Sequence, residues 1–298
     1  MSQEYSFSIH NIKSMRTIIL NSSNYVQGSG NKYTYVLPSS TKFEEKAKIG
    51  VASIACYNST FNITASRGNN TITLVWNAST PATYTFTIPD GYFSLNDLNY
   101  FIQQQCILNN LYVTNSSGQN VYFVEIVANN PRYSAQLNTY FIPTSALATT
   151  LGYTKPAGAT WSYPATSACP QVTISSAFGL LIGFSAGSYP ATATVSTNQQ
   201  FISTLTPNIN PIDSYILTCS LLNSPYSIPS DVFFSLPLNG GLGSLITVSP
   251  SQIVFNSIAP NIYKEITIRL YDQLFNPLSI QDKELVLTLA ILEGNEDK

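Results

Sequence analysis

The sequence predicts an all-β protein: a β-sandwich of the jelly-roll type with one or two short helices. Three observations predict it. About ten short segments carry strand patterns, separated by turn signals every 8–15 residues or so. Helical periodicity is scarce. Strands do not alternate with helices, which excludes a parallel βαβ sheet and leaves sandwiches and barrels. Hydrophobic residues make up 44 % of the 298, enough to build a sizeable core and far from the composition of a disordered chain.

In chain order, residues 31–37 (NKYTYVL) alternate polar and apolar as a half-buried strand does. Residues 47–57 place Ile49, Val51, Ser53 and Ala55 on one face. Residues 71–76 and 83–88 flank the turn-prone 77–81 and read as a hairpin. Residues 121–127 and 133–141 do the same around Asn129-Asn130-Pro131-Arg132. Later strands fall at 215–221, 232–236, 262–270 and 284–292. In 262–270, Ile262, Lys264, Ile266, Ile268 and Leu270 share a face. Residues 285–292 are apolar on both faces, which predicts a strand covered on both sides.

Ser94 is an N-cap candidate before an amphipathic stripe of Leu95, Leu98, Tyr100-Phe101-Ile102 and Gln105-Cys106, and so opens a helix of about three turns. A second short helix opens at Ser175-Ser176 and stops at Gly183.

Charge sets the functional limits. Charged residues are 9 % of the chain, against about a quarter in ordinary soluble proteins. Nine lie in residues 1–50, eleven in 261–298 and eight between. The 108 residues from 156 to 263 hold only Asp213 and Asp231. Such a surface is built from hydroxyls and amides, or covered by other proteins, and this points to a piece of an assembly. With net charge −2 and Lys42, Lys46 and Lys48 diluted by Glu44 and Glu45, direct binding to nucleic acid is not expected. No apolar run approaches the ~20 residues of a membrane span. The longest, residues 178–184, is short and Gly-interrupted. Residues 1–5 lack the pattern of a signal peptide, so a reducing cytosol is the expected compartment. The N-x-Ser/Thr triplets at Asn21, Asn58, Asn62, Asn69, Asn77 and Asn115 then read as by-products of composition.

Catalytic constellations are missing. Cys56, Cys106, Cys169 and Cys219 are widely spaced and His10 is the one histidine. No metal site, no cofactor and no Ser-His-Asp or Cys-His base is expected. Asp90 reads as a turn residue, Asp97 as a first-turn helix residue, and Asp213 and Asp231 as residues that open strands after prolines. A glycosidase pair drawn from these is the enzymatic alternative. The loop 239–243 lacks the Lys-Ser/Thr of a phosphate cradle. The chain reads as a non-enzyme.

Four blocks in order resemble the minor capsid (penton) proteins of virophages and polinton-like viruses. They are Thr87-Ile88-Pro89-Asp90-Gly91-Tyr92-Phe93-Ser94-Leu95-Asn96-Asp97-Leu98-Asn99; residues 178–190 (FGLLIGFSAGSYP); Thr206-Pro207-Asn208-Ile209-Asn210-Pro211-Ile212-Asp213-Ser214; and Asp272-Gln273-Leu274-Phe275-Asn276-Pro277-Leu278, followed by Ile280-Gln281-Asp282 and a last strand. They reach from about residue 85 to 292. The resemblance implies a structural virion protein: a homopentamer at icosahedral capsid vertices, in contact with a double jelly-roll major capsid protein.

On this reading residues 30–91 and 200–298 form the jelly roll and 92–199 the outward insertion. Residues 1–30, with His10, Lys13 and Arg16, are an N-terminal arm that either orders on a neighbour or stays disordered. The alternative is a carbohydrate- or receptor-binding β-sandwich, spike-like or lectin-like. Host receptor or glycan contact is expected in the loop 156–164, through Trp161 and Tyr163, unless those rings pack on the barrel.

Overall fold

A computed structural model describes residues 15–22, 25–27, 30–43 and 46–293. The first strands are β1 (Met15–Asn21), β2 (Tyr25–Gln27), β3 (Lys32–Lys42) and β4 (Lys48–Tyr57). Then come β5 (Thr71–Trp76), β6 (Ala82–Thr87), helix α1 (Leu95–Leu108), β7 (Val113–Thr114), β8 (Asn120–Val121), β9 (Val124–Asn129) and β10 (Ser134–Thr139). Helix α2 (Ser145–Thr150), β11 (Gln171–Ile174), helix α3 (Ser176–Ile182), β12 (Gly187–Tyr189) and β13 (Gln199–Ile202) follow. The chain finishes with β14 (Ser214–Cys219), β15 (Val232–Pro237), β16 (Leu245–Val248), β17 (Asn256–Ser257), β18 (Ile262–Tyr271) and β19 (Leu285–Leu292).

Residues 15–60 and 212–293 form one compact unit and residues 61–211 another. The first unit has two antiparallel sheets. One runs β1-β19-β4-β16, with β17 also on β4; the other runs β15-β14-β18-β3-β2. Leaving aside the short β2 and β17, each sheet has four strands, and the chain crosses repeatedly from one to the other. That connectivity is a jelly roll. Its core is the two inward faces: Tyr33, Tyr35, Ile49, Ile54, Tyr215, Leu217, Ile266, Ile268, Leu270, Leu287 and Leu289 among others. Tyr215 lies wholly inside and its hydroxyl reaches Asn58 Oδ1 at 3.2 Å.

The second unit is inserted between β4 and β14. It holds the sheets β12-β11-β5-β6 and β13-β10-β9, the hairpin β7-β8 and the three helices. Both expected hairpins are present, with β5 on β6 and β9 on β10. Ser94 closes a capping box on α1. Its Oγ accepts from the Asp97 N–H at 3.2 Å, and the Asp97 carboxylate accepts from the Ser94 N–H at 2.9 Å. The Ser94 hydroxyl, which donates to the Asp97 carboxylate at 2.6 Å, and then the Ser94 N–H hold Asp97 below its usual value. Ser175 caps α3, and Gly183 ends it at φ +78, where an added Cβ would run into the Leu205 carbonyl.

Several expectations change. Residues 61–91 and 200–211 belong to the inserted unit, because β5 pairs with β11 about a hundred residues on. Residues 15–21 are a jelly-roll strand paired along β19, not part of an arm, and Arg16 meets Glu293 at 3.2 Å. Residues 25–27 of the expected arm are likewise a strand, paired with β3, and residues 1–14, with His10 and Lys13, lie outside the described residues.

The inward face of β4 switches phase. Ile49 and Val51 point in, but so do Ile54 and Cys56, since Ala52 is an extra residue against the Thr288/Leu289 step of β19. A second irregularity between Tyr263 and Glu265 turns Ile262 out and lets Tyr263 pack on Phe43. Strand β19 is covered on both sides only near its end. Ala290 is buried, but Val286 is 45 % exposed.

Candidate functional site

Period-two geometry decides what each sheet of the jelly roll shows outward. On the β1-β19-β4-β16 sheet, registered neighbours form cross-strand rows. Leu245 stands beside Tyr57. Thr247, Ala55, Val286 and Asn21 form the next row. Ser53, Thr288 and Ile19 follow, and then Gly50, Ala290 and Thr17. These four rows contain no Asp, Glu, Lys or Arg; the next, Met15, Leu292 and the exposed Lys48, ends the face on a single lysine. Ile19 is 63 % exposed, and Leu245 also faces solvent. One end is closed by the segment 253–255, whose Ile253 side chain and Val254 carbonyl occupy the space above Gly50.

The outward face of the other sheet is different. There Lys32 stands opposite Arg269, and Glu265 opposite Val36, with a Thr34–Thr267 hydroxyl contact of 3.2 Å between them. One side of the sandwich is therefore dressed for water. The other presents valine, isoleucine, leucine and hydroxyls, the make-up of a protein–protein interface core.

The loop with Trp161 and Tyr163 does not offer its rings. Trp161 is 8 % exposed and lies edge-on to Trp76 at 5.2 Å and to Tyr163 at 5.4 Å. Its Nε1–H donates to the Asn110 carbonyl at 2.7 Å. Lys155 Nζ donates to the Trp161 carbonyl at 2.8 Å and sits 5.4 Å from the Trp161 ring. Two large aromatics gain more from burial together than from display on a Pro/Gly loop.

The carboxylates are dispersed into local duties. Asp90 accepts from the Ala65 N–H at 2.7 Å, and Glu125 from Asn138 and the Tyr140 hydroxyl, both at 3.0 Å. Asp213 and Asp231 bond through their main chains, to Leu238 and Cys219 respectively. Asp272, unremarked in sequence, is buried and accepts from the amides of Leu274 and Asn276. No cluster of three or more His, Cys, Asp or Glu occurs among the described residues.

Asparagines carry more structure than their composition suggested. Asn62 is 1 % exposed. It accepts from the Phe93 N–H and donates to the Phe93 and Ile209 carbonyls, each at 2.9 Å. Asn69 and Asn77 are also buried, so three of the N-x-Ser/Thr triplets are inside. Asn62→Ala strands three main-chain groups. It is expected to cost about 2–3 kcal/mol, read as a lower urea midpoint at constant m-value.

All four cysteines are free and buried. Burial pushes the thiols of Cys56, Cys106 and Cys219 up to about 12 from a usual value of 9.0, and raises Cys169 too. Two results are expected. A thiol reagent at pH 8 labels none of the four until the chain unfolds. Stability is full below about pH 8.5, where both states keep their thiols protonated. It falls as pH rises toward 12, because the unfolded chain releases protons that the folded chain retains. Urea midpoints at pH 7.5 and pH 10 check the sign.

Fold and surface together define a single jelly-roll protein with a large insertion between its β4 and β14 strands and one outer face of aliphatic and hydroxyl side chains that carries a single lysine. Comparison with protein-family models and with curated proteins gives no match. Among solved structures, the chain is similar to the crystal structure of the mavirus penton protein, at 9 % identity and a TM-score of 0.44. The match covers 95 % of this chain and 100 % of that one.

Proposed function

We propose that this chain is a structural virion protein, a penton-type minor capsid protein that forms homopentamers at icosahedral vertices and abuts a double jelly-roll major capsid protein. It is not an enzyme on this reading. The observation that carries it is the outer face of the β1-β19-β4-β16 sheet: four strands wide, with Ile19, Val286 and Leu245 exposed among hydroxyls and one charge, Lys48, in its end row. A free monomer rarely leaves such a face in water. A closed ring covers two different faces of each subunit, and a wall with a single charge limits the cost of desolvating ions. The four sequence blocks between about residue 85 and 292 support the same assignment, as does the jelly-roll connectivity.

Light scattering and negative-stain microscopy of the purified protein test it. Mass near five times 32.6 kDa and five-fold rings are expected, alone or on mixing with capsomers. A protein that stays monomeric at high concentration and ignores capsomers would overturn the reading.

A further inference from the structure

The inserted unit holds a pocket of about 410 Å³, lined by Leu95, Ala128, Asn130, Tyr133, Ser134, Thr206 and Pro207. Tyr133 ends the tight turn of residues 130–132 that joins β9 to β10. Its amide closes on the Asn130 carbonyl at 3.1 Å, and its backbone takes φ +52. Glycine or asparagine suits that conformation, and a bulky side chain pays about 1 kcal/mol to adopt it. The tyrosine gains no burial in return, since it is 81 % exposed. Its ring is held out at the mouth of a concavity. Ser134, also in the lining, is buried and its hydroxyl oxygen is shut away from solvent.

We infer that this pocket is a binding subsite for a neutral sugar ring. The lining combines the exposed Tyr133 and apolar carbons (Leu95, Ala128, Pro207) with the Asn130 amide and the Thr206 hydroxyl. A pyranose presents the same two chemistries, a C–H face and a rim of hydroxyls. No Asp, Glu, Lys or Arg lines the site, so it has no counter-charge for an acidic glycan. The volume suits one or two rings. The inference does not depend on the assembly proposed above. It moves the place of glycan contact from Trp161 and Tyr163, whose rings are packed, to Tyr133.

The test is a glycan array carrying neutral and sialylated oligosaccharides, followed by saturation-transfer NMR with the terminal monosaccharide of the strongest neutral hit. Tyr133→Asn keeps a residue that tolerates the left-handed turn and removes the ring. Binding should fall at least tenfold with the thermal transition unchanged or slightly raised, as the strain is relieved. Tyr133→Phe should stay within about threefold of the native chain. Ala128→Gln, at an exposed strand position, should block the pocket independently. Any of four results overturns the inference: no neutral glycan bound, preference for sialylated glycans, full binding retained by both Tyr133→Asn and Ala128→Gln, or a peptide rather than a sugar competing for the site.

Discussion

Trp76→Ala is expected to destabilise the inserted unit by about 3–5 kcal/mol, the cost of removing the largest aromatic from a closed core. Trp76 has no exposed surface. It meets Phe123 at 5.6 Å and Trp161 at 5.2 Å, both edge-on, and lies in one cluster with Leu74, Phe86, Leu111 and Val113. Truncation opens a cavity among rings whose own positions depend on it, so collapse of the site is limited. Trp76→Phe should cost much less, about 1–2 kcal/mol. Its ring keeps most of the contacts, and the change removes an indole N–H that is buried without a partner. Urea unfolding followed by circular dichroism separates the two variants. Both tryptophans of the chain lie in this unit, so native fluorescence reports on it alone. An alanine variant within 1 kcal/mol of native would mean that the aromatic cluster is not what holds the unit.

The elements that sequence disclosed are those with local causes. Ser94 and Asp97 form their capping box within four residues, and Ser175 and Gly183 bound α3 from its own ends. Strand positions at 71–76, 124–129 and 262–271 follow from period-two patterns beside turn residues. What sequence missed depends on partners far along the chain. The hairpin β5-β6 looks like any jelly-roll hairpin, and only its pairing with β11 places it in the insertion. The phase change at Ala52 exists because β19 lays down a different register on either side of it.

The candidate surface was hidden for the same reason. Residues 15–21 were read as part of an arm, and β19 as a strand covered on both faces. The exposed side of Ile19 and Val286 becomes visible only once β1 and β19 are paired. The aromatic loop misled in the opposite sense, because two rings on a Pro/Gly segment describe display and inward packing equally well. Tyr133 gave no signal beyond opening the expected strand 133–141, since a positive φ is not written in the residue type.

Assembly is expected to collapse when Ile19 and Val286 are both replaced by glutamate. Each side chain now stands on the outer face of the β1-β19-β4-β16 sheet, one row apart across β1 and β19. In the isolated subunit both positions face water, so the folded chain should change by no more than about 1 kcal/mol. In an assembly that covers this face, each subunit would have to bury two unpaired carboxylates. That costs several kcal/mol even after relaxation, against about 1.4 kcal/mol for each tenfold in association. The association constant should therefore fall at least about 100-fold, with the thermal transition of the monomer nearly unmoved. Glu265→Lys is the matched control. It reverses a charge on the outward face of the other sheet, which already carries Lys32 and Arg269, and should leave the assembly mass unaltered. Equal loss in both variants would show a general effect of charge on solubility. Native assembly by the double glutamate variant would move the contact away from this face altogether.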